Sequence, residues 1–307
     1  MSELEALLSV GIVAAVSLGA LTNLYLVKRL QTRPTQVPGR ADEEDEEDGE
    51  DEEEESDEAE AEEGPSKGEI LARRAQLIHE LEQERGTRVI HLIHRKEPWT
   101  KGDDEPEIVL EESEVILQAV RETPPDTPID FILHTPGGLT FSADMMAMAL
   151  KYHKAKVTVM VPFYALSSGT YIALAADEIM MEKYSVLAPV EPQIEEMPAN
   201  AIISILKRKP IELVADRTIL LAESARMETE NAREFVKWLL ADKMNEDQAT
   251  QVANFLVGGF MASTTPITLD VARAIGLNVI EGVPEKVHQL FETIGFGGGQ
   301  RPGKSYE

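Results

Sequence analysis

The chain has no cysteine. That excludes disulfides, thiol nucleophiles and cysteine metal sites, and it leaves the redox compartment open. Basic residues are missing from Ala41 to Glu63, where 18 of 23 residues are Asp or Glu. Such a run has almost nothing to bury and repels itself. It reads as a disordered, solvated linker, with a docking tail for a basic partner or metal ions as the sharper alternative. Outside it, 38 acidic residues stand against 29 basic ones, a net of −9 where the whole chain carries −27. This is an ordinary, mildly acidic globular composition. It has no basic stripe, so nucleic acid is not an expected partner.

Long apolar runs are also scarce, with one exception. Ala6 to Val27 is 22 residues without a charge. At 1.5 Å rise per residue it spans a hydrocarbon core of about 30 Å. The residues before it include Glu3 and Glu5 and no Lys or Arg, unlike the basic start of a cleavable signal. Lys28, Arg29, Arg33 and Arg40 follow it. The positive-inside rule then places the C-terminal side in the cytoplasm. Gly11, Ala15 and Gly19 recur every four residues and would let two such helices approach closely. The expected organisation is a transmembrane anchor over 1–31, an acidic linker over 32–66, one α/β domain over 67–294 and a flexible glycine-rich tail over 295–307.

Within the domain, helical spacing predicts helices over Ile70–Glu84, Ser113–Glu122 (Ser113 as N-cap), Ser142–His153, Ser167–Ala176, Asp216–Ala241, Asn245–Leu256, Thr268–Ile275 and Pro284–Ile294. Short apolar runs predict strands over Arg88–His94, Ile129–Leu133, Lys156–Pro162 and Glu178–Met181. Strands alternating with helices imply βαβ units and a largely parallel sheet, whose carboxyl edge is where sites form.

Two segments fall at such strand ends. His134-Thr135-Pro136-Gly137-Gly138 offers glycine amides, which approach a substrate closely and accept positive φ. Tyr164-Ala165-Leu166-Ser167-Ser168-Gly169-Thr170 offers a serine where a loop gives way to a helix, next to unpaired amides and a positive dipole end. Taken singly, the first is also a plain strand-to-helix turn and the second a plain N-cap. Together they supply a nucleophile and an oxyanion hole, two of the three parts of acyl transfer.

The stretch from about Arg88 to Leu290 resembles the serine dehydrogenase proteinase family. The residues that carry the resemblance are Ile93-His94-Arg95, Ile129-Asp130, His134-Thr135-Pro136-Gly137-Gly138, Val161-Pro162, Tyr164-Ala165, Ser167, Gly169-Thr170, Ala173-Leu174-Ala175-Ala176-Asp177-Glu178-Ile179, Pro192-Gln193, Pro266-Ile267-Thr268 and Gly276-Leu277. The resemblance implies the ββα-repeat fold of Clp protease subunits and crotonases, and a single-span relative of signal peptide peptidase. It implies Ser167 as nucleophile, and the backbone amides of Gly138 and Ser168 as oxyanion donors. It further implies a peptide or protein substrate, a homo-oligomer, and no cofactor or metal. Asp177 matches an acid that looks structural.

The general base stays open. His134 is nearest in sequence to the site. His91 and His94 lie on one predicted strand and face opposite sides. His153 sits at a helix C-terminus, where a cationic histidine is favoured without catalysis. A Ser/Lys dyad is the other route. Lys207 and Lys209 lie 40 and 42 residues after Ser167, and Lys209 is preferred because the family pattern keeps a Lys-Pro and Pro210 follows. Lysine serves as a base when burial depresses its pKa. The bland reading of Lys207-Arg208-Lys209 is a solvated basic loop. The chain also departs from the family: Phe163 stands for a histidine, Ala188 for a glycine, Glu191 for an aspartate, and Ser263-Thr264 for a His-Asp pair. Three readings follow: a membrane-anchored serine peptidase, an inactive oligomeric scaffold of the same fold, and a crotonase-like acyl-CoA enzyme.

Overall fold

The computed structural model describes residues 65–95, 97, 106–259 and 265–294. The apolar run Ala6–Val27, the acidic run, the Ser263-Thr264 pair and the tail from Gly295 lie outside the described residues. Among the described residues, no helix is long and apolar enough to cross a membrane. The chain falls into two units, 1–70 and 71–307.

The centre of the larger unit is one parallel sheet of β1 (Arg88–Ile93), β2 (Ile129–His134), β3 (Val157–Val161), β5 (Glu178–Met181) and β10 (Val279–Glu281), in the order β1-β2-β3-β5-β10. Every residue of β2 and β3 is buried. That is why these strands read as continuous apolar runs rather than as alternations: helices cover both faces of a parallel sheet. Successive side chains still go to opposite faces. Ile129, Phe131 and Leu133 join a large core with α2 (Leu110–Glu122), α3 (Thr140–Tyr152), α4 (Ser168–Ala175), α6 (Asp216–Leu240) and α7 (Glu246–Val257). Ile132 and Met160 instead meet Leu77 and Leu81 of α1 (Lys67–Arg85), and Val287, Leu290 and Phe291 of α9 (Glu285–Glu292).

A second small sheet sits past the carboxyl end of β3. It joins β4 (Tyr164–Ala165), β6 (Val186–Leu187) and β9 (Ile267–Thr268), so β3, β4 and α4 form a ββα unit. A β7 (Gln193–Ile194) and β8 (Met197–Pro198) hairpin leads into α5 (Ala199–Arg208), and α8 (Leu269–Ala274) follows β9.

Two expectations are corrected. Ser113 is not an N-cap: it lies inside α2 with its hydroxyl donating to the Leu110 carbonyl at 2.6 Å. The cap is Val109, whose N–H donates to the Glu112 carboxylate at 3.2 Å from within the first turn. The basic stretch Lys207-Arg208-Lys209 is no loop either. Lys207 and Arg208 end α5, and Lys209 is its C-cap.

Candidate active site

The two sequence motifs are bonded to each other at the carboxyl edge of the sheet. The Thr135 N–H donates to the Tyr164 carbonyl at 3.2 Å, and the Leu166 N–H donates back to the Thr135 carbonyl at 3.0 Å. This short parallel bridge continues the β2 direction into β4. Gly169 lets α4 close on it. A Cβ there would stand 2.5 Å from the Thr135 methyl.

Ser167 is the residue between β4 and α4. Its φ is 51° and its ψ −124°, a combination that strains any residue with a Cβ. The turn brings it against Gly137: a Cβ on Gly137 would lie 2.9 Å from the Ser167 Cβ and 3.5 Å from its Oγ. Gly137 and Gly138 have φ of 110° and 141°. A Cβ on Gly138 would stand 2.4 Å from the Ile108 nitrogen and 2.5 Å from its oxygen. Only glycine fits either place.

The Ile108 segment explains the tightness. Its N–H donates to the Gly137 carbonyl and its carbonyl accepts from the Leu139 N–H, both at 2.8 Å. The Ser168 hydroxyl donates to the Gly138 carbonyl at 3.2 Å. Among the described residues, the N–H groups of Gly138 and Ser168 have no acceptor. Ser168 heads α4, where orphan amides are expected. Ser167 is half-buried while Ser168 is buried, so of the two hydroxyls Ser167 is the accessible one.

The base candidates are less gathered. His134 is buried, and its ring packs on Tyr164, Phe291 and Phe163 at centroid distances of 4.1, 5.2 and 5.8 Å. Desolvation, then the charge of Arg95, lowers its pKa to about 3, and its Nδ1 has no partner. It lines the face of α1 and α9 and is neutral at physiological pH. Phe163, in the place of the expected histidine, stacks under the Arg95 guanidinium at 4.9 Å. His153 Nε2 bonds the Thr127 carbonyl at 2.8 Å. Asp177 closes the end of β3, accepting from the Val157 N–H at 2.7 Å. Both side chains bond the backbone of a neighbouring segment.

Lys209 is exposed at the end of α5, and Lys207 lines a cavity of about 550 Å³ with Asn200, Arg226 and Arg233. No residue of the two motifs lines that cavity. Among the described residues, the Ser167 hydroxyl has no hydrogen-bond partner, and no contact joins Lys209 to it.

His94 was weighed from the sequence only among the base candidates, and its contacts were not foreseen. His94, just past β1, is buried between Thr135 and Glu112, with Nδ1 at 2.7 Å from Thr135 Oγ1 and Nε2 at 3.0 Å from Glu112. The available signal was Glu112 itself, placed where a first-turn acid closes a helix cap.

The parallel sheet, the helical layers and the ββα unit make a ClpP-like α/β fold. The family model for ClpP-like SDH-type serine proteinases matches residues 65–306, and the chain belongs to that family. Its relatives include two uncharacterized proteins of Methanocaldococcus jannaschii. MJ1495 is 43% identical over 243 residues, 77% of this chain and 81% of its own. MJ0137 is 41% identical over 226 residues, 71% of this chain and 77% of its own. Among solved structures, a membrane-bound stomatin-specific protease is similar at 16% identity, covering 63% of this chain and 86% of its own with a TM-score of 0.41. A ClpP1 variant from Listeria monocytogenes is similar at 16% identity, with 66% and 96% coverage and a TM-score of 0.38.

Proposed function

We propose that this protein is a membrane-anchored serine peptidase. Ser167 Oγ attacks the carbonyl carbon of a peptide or membrane-protein segment, and the Gly138 and Ser168 N–H groups receive the developing oxyanion. The observation that carries this reading is the pairing of a strained, accessible Ser167 with Gly137 at van der Waals range, beside two amides without acceptors. Donors of this kind contribute roughly 10²–10³ in rate each when preorganised. Residues 6–27 anchor the chain in the membrane, with the peptidase domain on the cytoplasmic side.

Lys209 is the proposed base. An exposed lysine is a poor base, so the reading requires that Lys209 be enclosed. The neighbouring surface supports this. Ile211 and Leu213, two and four residues after Lys209, are 52 and 73% exposed, apolar surface of the kind that marks an association site. A second copy of the chain seated there takes Lys209 out of water.

One observation favours a second reading, the inactive oligomeric scaffold: among the described residues the Ser167 hydroxyl has no base beside it. Labelling of the full-length protein with a fluorophosphonate probe separates the two. The peptidase labels, Ser168→Ala still labels, and Ser167→Ala does not. Absence of any Ser167-dependent labelling selects the scaffold. Labelling that survives Lys209→Ala removes the lysine and leaves the nucleophile.

A further inference from the structure

The Gly137 carbonyl and the Gly138 N–H are the two ends of one planar peptide unit. Whatever holds the carbonyl therefore aims the N–H. Two groups reach that carbonyl: the Ile108 N–H at 2.8 Å and Thr135 Oγ1 at 3.3 Å. Thr135 Oγ1 also accepts from the Gly137 N–H at 3.0 Å, so this hydroxyl touches both peptide units of the turn. It has one hydrogen to give, and its direction decides which way the turn is pulled.

His94 settles that direction. Its Nε2 lies 3.0 and 3.1 Å from the two oxygens of Glu112, which accepts only when ionised. In the neutral ring Nε2 then carries the hydrogen, and Nδ1, at 2.7 Å from Thr135 Oγ1, is the acceptor. The Thr135 hydrogen goes to His94, leaving the Thr135 lone pair for the Gly137 N–H and the Gly137 carbonyl for Ile108. Glu112 works from the other side as well. Its carboxylate accepts from the Val109 N–H at 3.2 Å, which fixes the residue after Ile108. One carboxylate thus holds both flanks of the glycine turn. His94 and Thr135 are 5 and 0% exposed, so water does not compete for the bond between them; the Glu112 carboxylate is at the exposed end of the relay.

We propose that Glu112, His94 and Thr135 form a positioning relay that holds the Gly137 N–H and leaves the Gly137 carbonyl to the Ile108 N–H, and so sets the direction in which the Gly138 N–H meets the oxyanion. The oxyanion role rests on the peptidase reading above; the relay itself does not. None of the three touches substrate. They act by holding one rotor and one tautomer in place.

The test uses the full-length protein and three variants. Thr135→Val removes the hydroxyl but keeps the methyl that packs on Gly169. Thr135→Ser keeps the hydroxyl and drops the methyl. Glu112→Gln removes the ionised acceptor. In fluorophosphonate labelling, Thr135→Val is expected to lower the maximal rate at Ser167 about tenfold or more, with the probe's half-saturation concentration unchanged within about twofold. Thr135→Ser restores most of that rate. A loss of packing alone would give the reverse order, with Thr135→Ser the weaker variant. The second readout needs no activity. In ¹⁵N spectra, His94 is expected as the Nε2–H tautomer, and Glu112→Gln shifts the Gly137 amide resonance. An Nδ1–H tautomer, or an unmoved Gly137 amide in Glu112→Gln, overturns the relay. A wild-type protein that does not label overturns the peptidase reading instead, and the spectra still decide the relay.

Discussion

Ser167 holds a backbone conformation that glycine adopts freely, with φ 51° and ψ −124°. For a residue with a Cβ this costs about 1–3 kcal/mol. Glycine avoids that cost but brings a more flexible unfolded chain, worth about 0.5–1 kcal/mol against it. Strain wins, so Ser167→Gly is expected to be more stable than Ser167→Ala by about 1 kcal/mol in urea unfolding. Both variants lose the nucleophile, so the comparison isolates the backbone. Equal midpoints for the two would mean that the strain is no larger than that entropy cost. Gly138 is the opposite case. The Ile108 backbone stands where its side chain would be, and only glycine leaves that bridge intact.

At the scale of elements, β2 ends on a histidine that cannot charge. Burial and Arg95 lower the His134 pKa to about 3, while an unfolded histidine takes its proton near 6.5. Between those values the unfolded chain binds more protons. Stability is therefore fully present above about pH 6.5 and falls as the pH drops toward 3, by at most about 1.4 kcal/mol per pH unit. Replacing His134 by Phe, among Phe163, Tyr164 and Phe291, should flatten that acid limb. Unfolding free energies from urea titrations at pH 7 and 4.5 should fall further apart in the wild type than in His134→Phe, by about 2–3 kcal/mol; equal differences would exclude His134 as the source.

Strands β2 and β3 were legible, because a sheet covered on both faces leaves unbroken apolar runs. Glu178–Met181 matches residue for residue. The glycine turn and Ser167 were legible as local motifs. What escaped was of two kinds. The strands β4, β6 and β9 are two residues long, too short for any period, although they fix the turn at Ser167. And the contact of His94 with Glu112 joins residues 18 apart. Nothing in their spacing announces it, because it depends on how the Ile108 segment folds back over Gly138. The helix α5 was masked by its own charge, its last turn being Lys207 and Arg208.

At the scale of the whole molecule, the match begins at residue 65, just after the acidic run, so the peptidase domain and the residues ahead of it are separable in sequence. The full chain is expected to fractionate with membranes and to resist extraction by high salt, and deletion of residues 1–31 to release it. Protease added to intact cells should leave the linker uncut if the domain faces the cytoplasm; cleavage there would reverse the orientation. The proposed enclosure of Lys209 belongs to this scale too: a second copy would bury the exposed Ile211 and Leu213, and a protein that stays monomeric would count against it.

The backbone at Ser167 also bears on how such a chain would drift. A change to glycine relieves the strain and leaves the Gly137-Gly138 turn, the helix and the core untouched. Mutation under selection for folding alone runs downhill at this position, away from serine. A lineage that keeps only the scaffold has nothing to hold the hydroxyl in place. In this chain the uphill residue is the one present.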